Sequence, residues 1–147
     1  MNLTQSEREQ GVVECRGSER RTGGMRVVVT PRYVREQSDP LSRQWLFAYQ
    51  IHITNEGEEP ARLVSRRWEI VDAHGERENV RGPGVVGQQP RLEPGRGFEY
   101  SSFCPLRTNW GTMEGAYRFM TDAGREFEAE VGRFYLVGPD GPPGKRG

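Results

Sequence analysis

The chain has 147 residues, about one domain's worth, and its 21 basic and 21 acidic side chains cancel to zero formal net charge at pH 7. Only 33% of the residues are apolar, and there are two Cys and two His. This balance excludes a strongly basic nucleic-acid-binding domain, a membrane helix of roughly 20 apolar residues and a Cys/His zinc cluster.

Residues 1 to 24 hold five apolar residues (Met1, Leu3, Val12, Val13, Cys15) and end at Gly23-Gly24. Such a segment buries too little surface to offset the entropy of ordering, so residues 1–24 are expected to be a disordered tail. No apolar core follows the N-terminal charges, so no secretory signal is expected. MRVVVTPRYV opens with a β-branched run and predicts a first strand over 25–35. Pro31 within it requires an edge position or a bulge. In WLFAYQIHIT, Trp45, Phe47, Tyr49, Ile51 and Ile53 fall on one parity, which marks a strand with one buried face. ARLVSRRWEIVD predicts the next strand, with Trp68 and Ile70 pointing inward. Arg66 shares their parity, so either a bulge lies near Ser65 or Arg66 is partly buried and paired. Ala73-His74-Gly75 is a turn, and Glu76 to Arg81 a short returning strand.

Phe98 to Phe103 is β-prone, and Met113, Gly115, Tyr117 and Phe119 alternate again. Asp122-Ala123-Gly124 turns into FEAEVGRFYLV, where the inward parity switches at Gly132, a bulge signature. Residues 138–147, GPDGPPGKRG, contain no apolar residue and are expected to be a second disordered tail. No segment carries a sustained 3.6-residue apolar stripe. Seven to eight short strands between 25 and 137 predict an all-β antiparallel sandwich or small barrel; the absence of a Cys…Trp…Cys spacing excludes an antibody-type inter-sheet disulfide and leaves a fibronectin-like sandwich open.

Chemistry-bearing residues are few. Gly82-Pro83-Gly84-Val85-Val86-Gly87 matches G-x-G-x-x-G, but Gln88, Gln89 and Pro90 follow it in place of a helix, so a dinucleotide-binding turn is excluded. A loop nest of Gly82, Gly84 and Gly87 with Arg81 beside it is the candidate anion site. Its plain alternative is an inter-strand connection that needs positive φ angles. The arginines at 62, 66, 67, 77, 81 and 91 alternate with glutamates, as on a solvated sheet face. Cys104 lacks a neighbouring base in the sequence pattern and reads as a small, half-buried sheet residue, not a nucleophile. No catalytic residue and no metal site is assigned. Phe103 and the loop aromatic Trp110 are the candidate interaction surface.

Several stretches resemble the ApaG domain family. They are Glu36 to Pro40, Phe47-Ala48-Tyr49 with Ile51 to Asn55, and Arg67-Trp68-Glu69-Ile70 with Asp72 and Gly75. Most specific is Val80 to Pro90 with Leu92 and Pro94-Gly95, followed by Tyr100-Ser101-Ser102 and Gly111 to Tyr117. The likeness covers about 25–137 and leaves the N-terminal extension outside. The resemblance implies a fibronectin type III-like sandwich in a small cytoplasmic protein, and a non-enzymatic protein-interaction module, as the domain is viewed where it is fused in some eukaryotic F-box proteins and a polymerase-interacting protein. It also implies a physiological link to cobalt and magnesium resistance without a known reaction, and pyrophosphate binding at Gly82, Gly84 and Gly87. Phe103 stands where the family often has Gly before the Cys-Pro pair. The expected partner is a protein, with a homodimer left open; no cofactor, nucleic acid or membrane is expected. The alternative function is a phosphate- or nucleotide-binding protein.

Overall fold

The structure, a computed structural model, describes residues 14–139. Nine strands follow one another: β1 (Ser18–Thr22), β2 (Met25–Tyr33), β3 (Trp45–Asn55), β4 (Ala61–Asp72), β5 (Arg77–Pro83), β6 (Arg91–Leu92), β7 (Gly97–Leu106), β8 (Trp110–Thr121) and β9 (Glu126–Val137). They form two antiparallel sheets packed face to face, ordered β1-β2-β3-β7 and β5-β4-β8-β9, with β6 added to β4 beside the end of β5. The alternation read from the sequence is what builds the interior. Phe47, Tyr49, Ile51 and Ile53 from β3 meet Leu63 and Trp68 from β4 and Tyr117 and Phe119 from β8. Trp68 is 5% exposed and stands edge-on to Tyr49, Tyr117 and Phe134 at centroid distances of 5.7, 6.0 and 5.9 Å. Edge-to-face rings place the positive rim of one against the negative face of the next.

Two bulges re-aim side chains. In β4 the register against β8 shifts between Leu63 and Ser65, which makes Val64 the extra residue. Inward parity therefore passes from Leu63 to Arg66, Trp68 and Ile70, and both conditions posed for Arg66 are met: a bulge precedes it and it is partly buried. In β9, Gly132 and Arg133 oppose Glu114 alone, as the parity switch at Gly132 indicates. Pro31 lies past Val29, the last residue of β2 to pair with β1, so its missing N–H falls on an edge.

The expectation of a disordered tail through residue 24 is corrected for 14–24, while 1–13 lie outside the described residues. Ser18–Thr22 pairs with Met25–Val29 around the Gly23-Gly24 turn. The same segment also meets β9. Arg16 and Tyr135 exchange backbone hydrogen bonds of 3.0 and 2.8 Å, and Ser18 Oγ donates to the Gly132 carbonyl at 2.7 Å. Cys15 packs against the core, and its Sγ accepts the Val137 amide. Backbone bonds and contacts from β9 thus order a stretch whose own apolar content is low. Of the second expected tail, residues 138 and 139 are described; 140–147 are not.

Candidate functional site

The glycine loop resolves into a tight hairpin. Val85 and Gln88 exchange two 2.8 Å backbone hydrogen bonds across Val86 and Gly87, whose φ values are 42° and 78°. Positive φ at both central residues is the type I′ geometry, which suits Gly87 and strains the β-branched Val86. Gly84 has φ 58°, and a Cβ there would stand 2.2 Å from the Gln88 carbonyl oxygen. The Gly84 amide donates to the Val64 carbonyl at 2.8 Å. The amides of Gly84, Val85 and Gln88 are therefore spent within the fold, and Pro83 has none. The loop turns two carbonyls, Pro83 O and Gly84 O, toward the Arg66 guanidinium at 3.0 and 2.9 Å. Gly82 makes room for that guanidinium, since a Cβ would lie 3.0 Å from it.

Arg81 is carried elsewhere. It pairs across β4–β5 with Arg67 on the outer face of the sheet, where Arg67, Arg81, Arg118 and Glu128 ring a cavity of about 320 Å³ with Gly82 and Ala116 among its lining. Arg67 donates from Nε and Nη2 to the two Glu128 carboxylate oxygens at 3.3 and 3.0 Å; Arg118 donates to Ser65 Oγ and to Glu126. The hydrogen bonds from Arg67 hold the Glu128 carboxyl below its usual range, and the Arg81 charge adds to the effect. Of the sequence candidates, Arg81 and Gly82 meet here, and Gly84 and Gly87 do not.

Inside the sandwich lies a polar cluster that sequence patterning does not single out. The Tyr100 and Tyr117 hydroxyls are 2.6 Å apart, and burial raises both above the usual phenol range, as it does Tyr49. Cys104, 3% exposed, has its thiol pushed up to about 12 by burial, with the Glu78 charge acting in the same direction. A thiol held protonated is a poor nucleophile. His52 Nδ1 faces Glu99 at 3.2 Å on the solvent side of β3 and β7, and His74 sits in the turn after β4. Neither is placed to activate Cys104.

The strand β7 ends its sheet, and its backbone polarity follows from two bonds. The Val34 amide takes the Leu46 carbonyl, so even-numbered β3 residues bond toward β2. The Asn55 amide donates to the Arg96 carbonyl at 2.9 Å, so odd-numbered β3 residues bond toward β7. Opposite the latter stand Phe98, Tyr100, Ser102 and Cys104. The N–H and C=O groups of Glu99, Ser101 and Phe103 consequently point away from the sheet and are unpaired among the described residues. Pro105 opposes Leu46, so its missing N–H costs the ladder nothing.

Phe103 projects from this edge strand with 55% of its surface exposed, beside Ala48 on the neighbouring strand. Trp110 departs from expectation. It opens β8 rather than lying in a loop, it pairs with Val137, and it is half-buried with its Nε1 enclosed. The exposed companion that sequence reading missed is Leu41, 98% exposed at the tip of the turn before β3. Its only signal is an apolar residue between Pro40 and Ser42.

A domain profile described as the ApaG domain matches residues 35–121. The chain belongs to the ApaG domain family. The protein ApaG of Anaeromyxobacter sp. (strain K) is 53% identical over 118 residues, covering 80% of this chain and 93% of the relative. That of Bdellovibrio bacteriovorus is 52% identical over 107 residues, covering 73% and 84%. A crystal structure of the ApaA protein from Bordetella pertussis superposes with a TM-score of 0.76 at 51% identity, covering 78% of this chain and 94% of that one. The described N-terminal strand β1 precedes the profile match, and the glycine loop, Arg67, Arg81, Arg118 and β7 fall within it, while Glu128 lies past its end.

Proposed function

We propose that this ApaG domain is a non-enzymatic protein-interaction module that binds its partner along the free edge of β7. The observation that carries the reading is the row of unpaired backbone groups at Glu99, Ser101 and Phe103 beside an exposed phenyl ring. Long sheet edges are normally shortened, bulged or covered, and an open one recruits a strand. The reading needs no bound metal: any link to divalent cations acts through the partner. Among the described residues no group of three or more His, Cys, Asp and Glu is placed to hold a metal ion, and no helix is long and apolar enough to cross a membrane. A cytoplasmic location belongs to the same proposal.

The test is affinity capture from the native cell with wild type, Phe103→Asp and Ser101→Pro. Ser101 turns its N–H outward, so proline there removes a donor from the edge while sparing the β3 ladder. Both variants should lose the partner and keep the wild-type circular dichroism. Retention of the full set of captured proteins would sink the reading. The cavity beside Arg81 supports a second one, phosphate or nucleotide binding, because Arg66, Arg67, Arg81 and Arg118 line it with Glu128 as the one carboxylate. Pyrophosphate titrated calorimetrically should then bind wild type and fail with Arg81→Ala.

A further inference from the structure

Where β7 leaves the sheet, a groove of about 400 Å³ opens between the end of β7, the start of β3 and the turn before it. Its apolar walls are Trp45, Leu46, Pro105 and Leu106, and its cationic groups are Arg43 and Arg107. No acidic side chain lines it among the described residues. Among the described residues neither arginine has an ion-pair partner, whereas arginines elsewhere make eleven salt bridges. Arg43 is held on a braced turn. Asp39 and Gln44 exchange backbone bonds of 2.7 and 3.0 Å, the Arg43 amide donates to Pro40 O at 2.9 Å, and Arg43 itself has φ 58°. A non-glycine residue in the left-handed region is disfavoured, so the turn holds the Arg43 backbone at a local cost. Leu41 stands exposed on the same turn.

The groove continues the free edge. Backbone donors of β7 stop at Phe103, because Pro105 has no N–H; side-chain recognition takes over at Pro105 to Arg107. We propose that the edge and the groove form one site for an extended acidic–apolar peptide segment of a protein partner, laid antiparallel to β7 as an added strand. Its backbone pairs with Glu99, Ser101 and Phe103, an apolar side chain packs on Leu46 and Pro105 beside Trp45, and a flanking carboxylate meets Arg43 and Arg107. Charge complementarity selects this occupant: apolar walls with two uncompensated guanidiniums match an apolar residue next to an Asp or Glu. The inference rests on the interaction-module reading and adds the partner's chemistry to it.

The test uses the full chain and two capped probes, Ac-EVDFEVDF-NH2 and its basic counterpart Ac-KVKFKVKF-NH2, followed by amide and indole NMR shifts. The acidic probe should shift the Glu99, Ser101 and Phe103 amides and the Trp45 indole, saturably and below about 1 mM. Arg43→Glu and Arg107→Glu, each on an exposed charge outside the core, should each weaken it about tenfold, roughly 1.4 kcal/mol. Ser101→Pro should weaken it as well, with unchanged thermal melts as the control for folding. Three results overturn the proposal: no saturable shifts, equal binding of the basic probe, or tighter binding of octathymidylate, which would make the groove a nucleic-acid site. Edge amides that shift with affinity unaltered in both arginine variants would remove the groove from the site. Loss of the captured partner in Ser101→Pro would in that case still uphold the edge.

Discussion

Tyr100 and Tyr117 satisfy each other across the interior, one from each sheet, through a 2.6 Å hydroxyl pair. Removing one hydroxyl leaves the other without its partner in a mostly dry site, which costs about 1–3 kcal/mol, whereas removing both is close to neutral. Tyr117→Phe should therefore lower the urea-unfolding free energy by that amount, and Tyr100→Phe/Tyr117→Phe should recover most of it. Additive losses would show that the pair does not act as a unit. Cys104 gives the second residue-scale outcome. In the unfolded chain its thiol deprotonates near 9.0, in the folded chain at about 12, so over that interval unfolding releases a proton. Stability is thus fully present below about pH 9 and falls as pH rises toward 12. Cys15 and both tyrosines, also raised by burial, act in the same direction. Urea midpoints measured from pH 8 to 11 should decline, less steeply in Cys104→Ala; a midpoint that rises would contradict the burial argument. Strand parity alone places Trp68 inside, because alternation is local. The tyrosine pair joins β7 to β8 across the two sheets, and no single-strand pattern encodes that.

At the scale of elements, legibility tracks how much of a strand's stability comes from its own side chains. Ala61–Asp72 carries its alternation, its bulge signal and its terminal turn in sequence, and the observed β4 has the bounds read from it. The segment SERRT has no apolar residue to pattern. It becomes β1 because the β2 ladder lies on one side and β9 on the other, with the Glu130 amide donating to Thr22 Oγ1 at 2.7 Å and Arg26 pairing with Glu19. Exposed ion pairs of this kind add little, so the ladder and the β9 bonds supply the order. β6, two residues long, buries Leu92 but is too short to show any alternation. Deletion through Gly24 removes the β1 ladder, the Arg16–Tyr135 exchange and the Cys15 contact together. It should lower the thermal midpoint by more than about 5 °C, roughly 1 kcal/mol for a chain of this size. An unchanged midpoint by differential scanning calorimetry would mean that β1 lies on the sandwich without stabilising it.

The whole molecule has two unlike rims. On one side β1 and the segment before it stitch the sheets together: Tyr135 and Val137 of β9 donate their amides to Arg16 O and Cys15 Sγ, so an end strand is left with few free groups. On the other side β7 and β5 end their sheets, and the open rim carries the exposed Phe103 together with Leu41 and the Arg43–Arg107 groove. Composition and parity reveal the sandwich; which rim is stitched shut depends on long-range pairing between residues over a hundred positions apart, and that is why Phe103 was legible as a departure from a family pattern while Leu41 and Arg43 were not. The asymmetry makes a site-resolved expectation for native amide exchange. Along β7, the amides of Phe98, Tyr100, Ser102 and Cys104 bond to β3 and should be protected to near the global unfolding free energy. The amides of Glu99, Ser101 and Phe103 point off the edge and should exchange at rates close to those of a free peptide. Along β9, which also ends its sheet, Tyr135 and Glu130 should be protected, because Arg16 O and Thr22 Oγ1 accept their protons. An alternating β7 beside a protected β9 establishes one open rim and one closed one. Uniform protection along β7 would mean that the edge is covered, and its dependence on protein concentration would then separate a second copy, whose cover dissociates on dilution, from a segment of the same chain, whose cover does not.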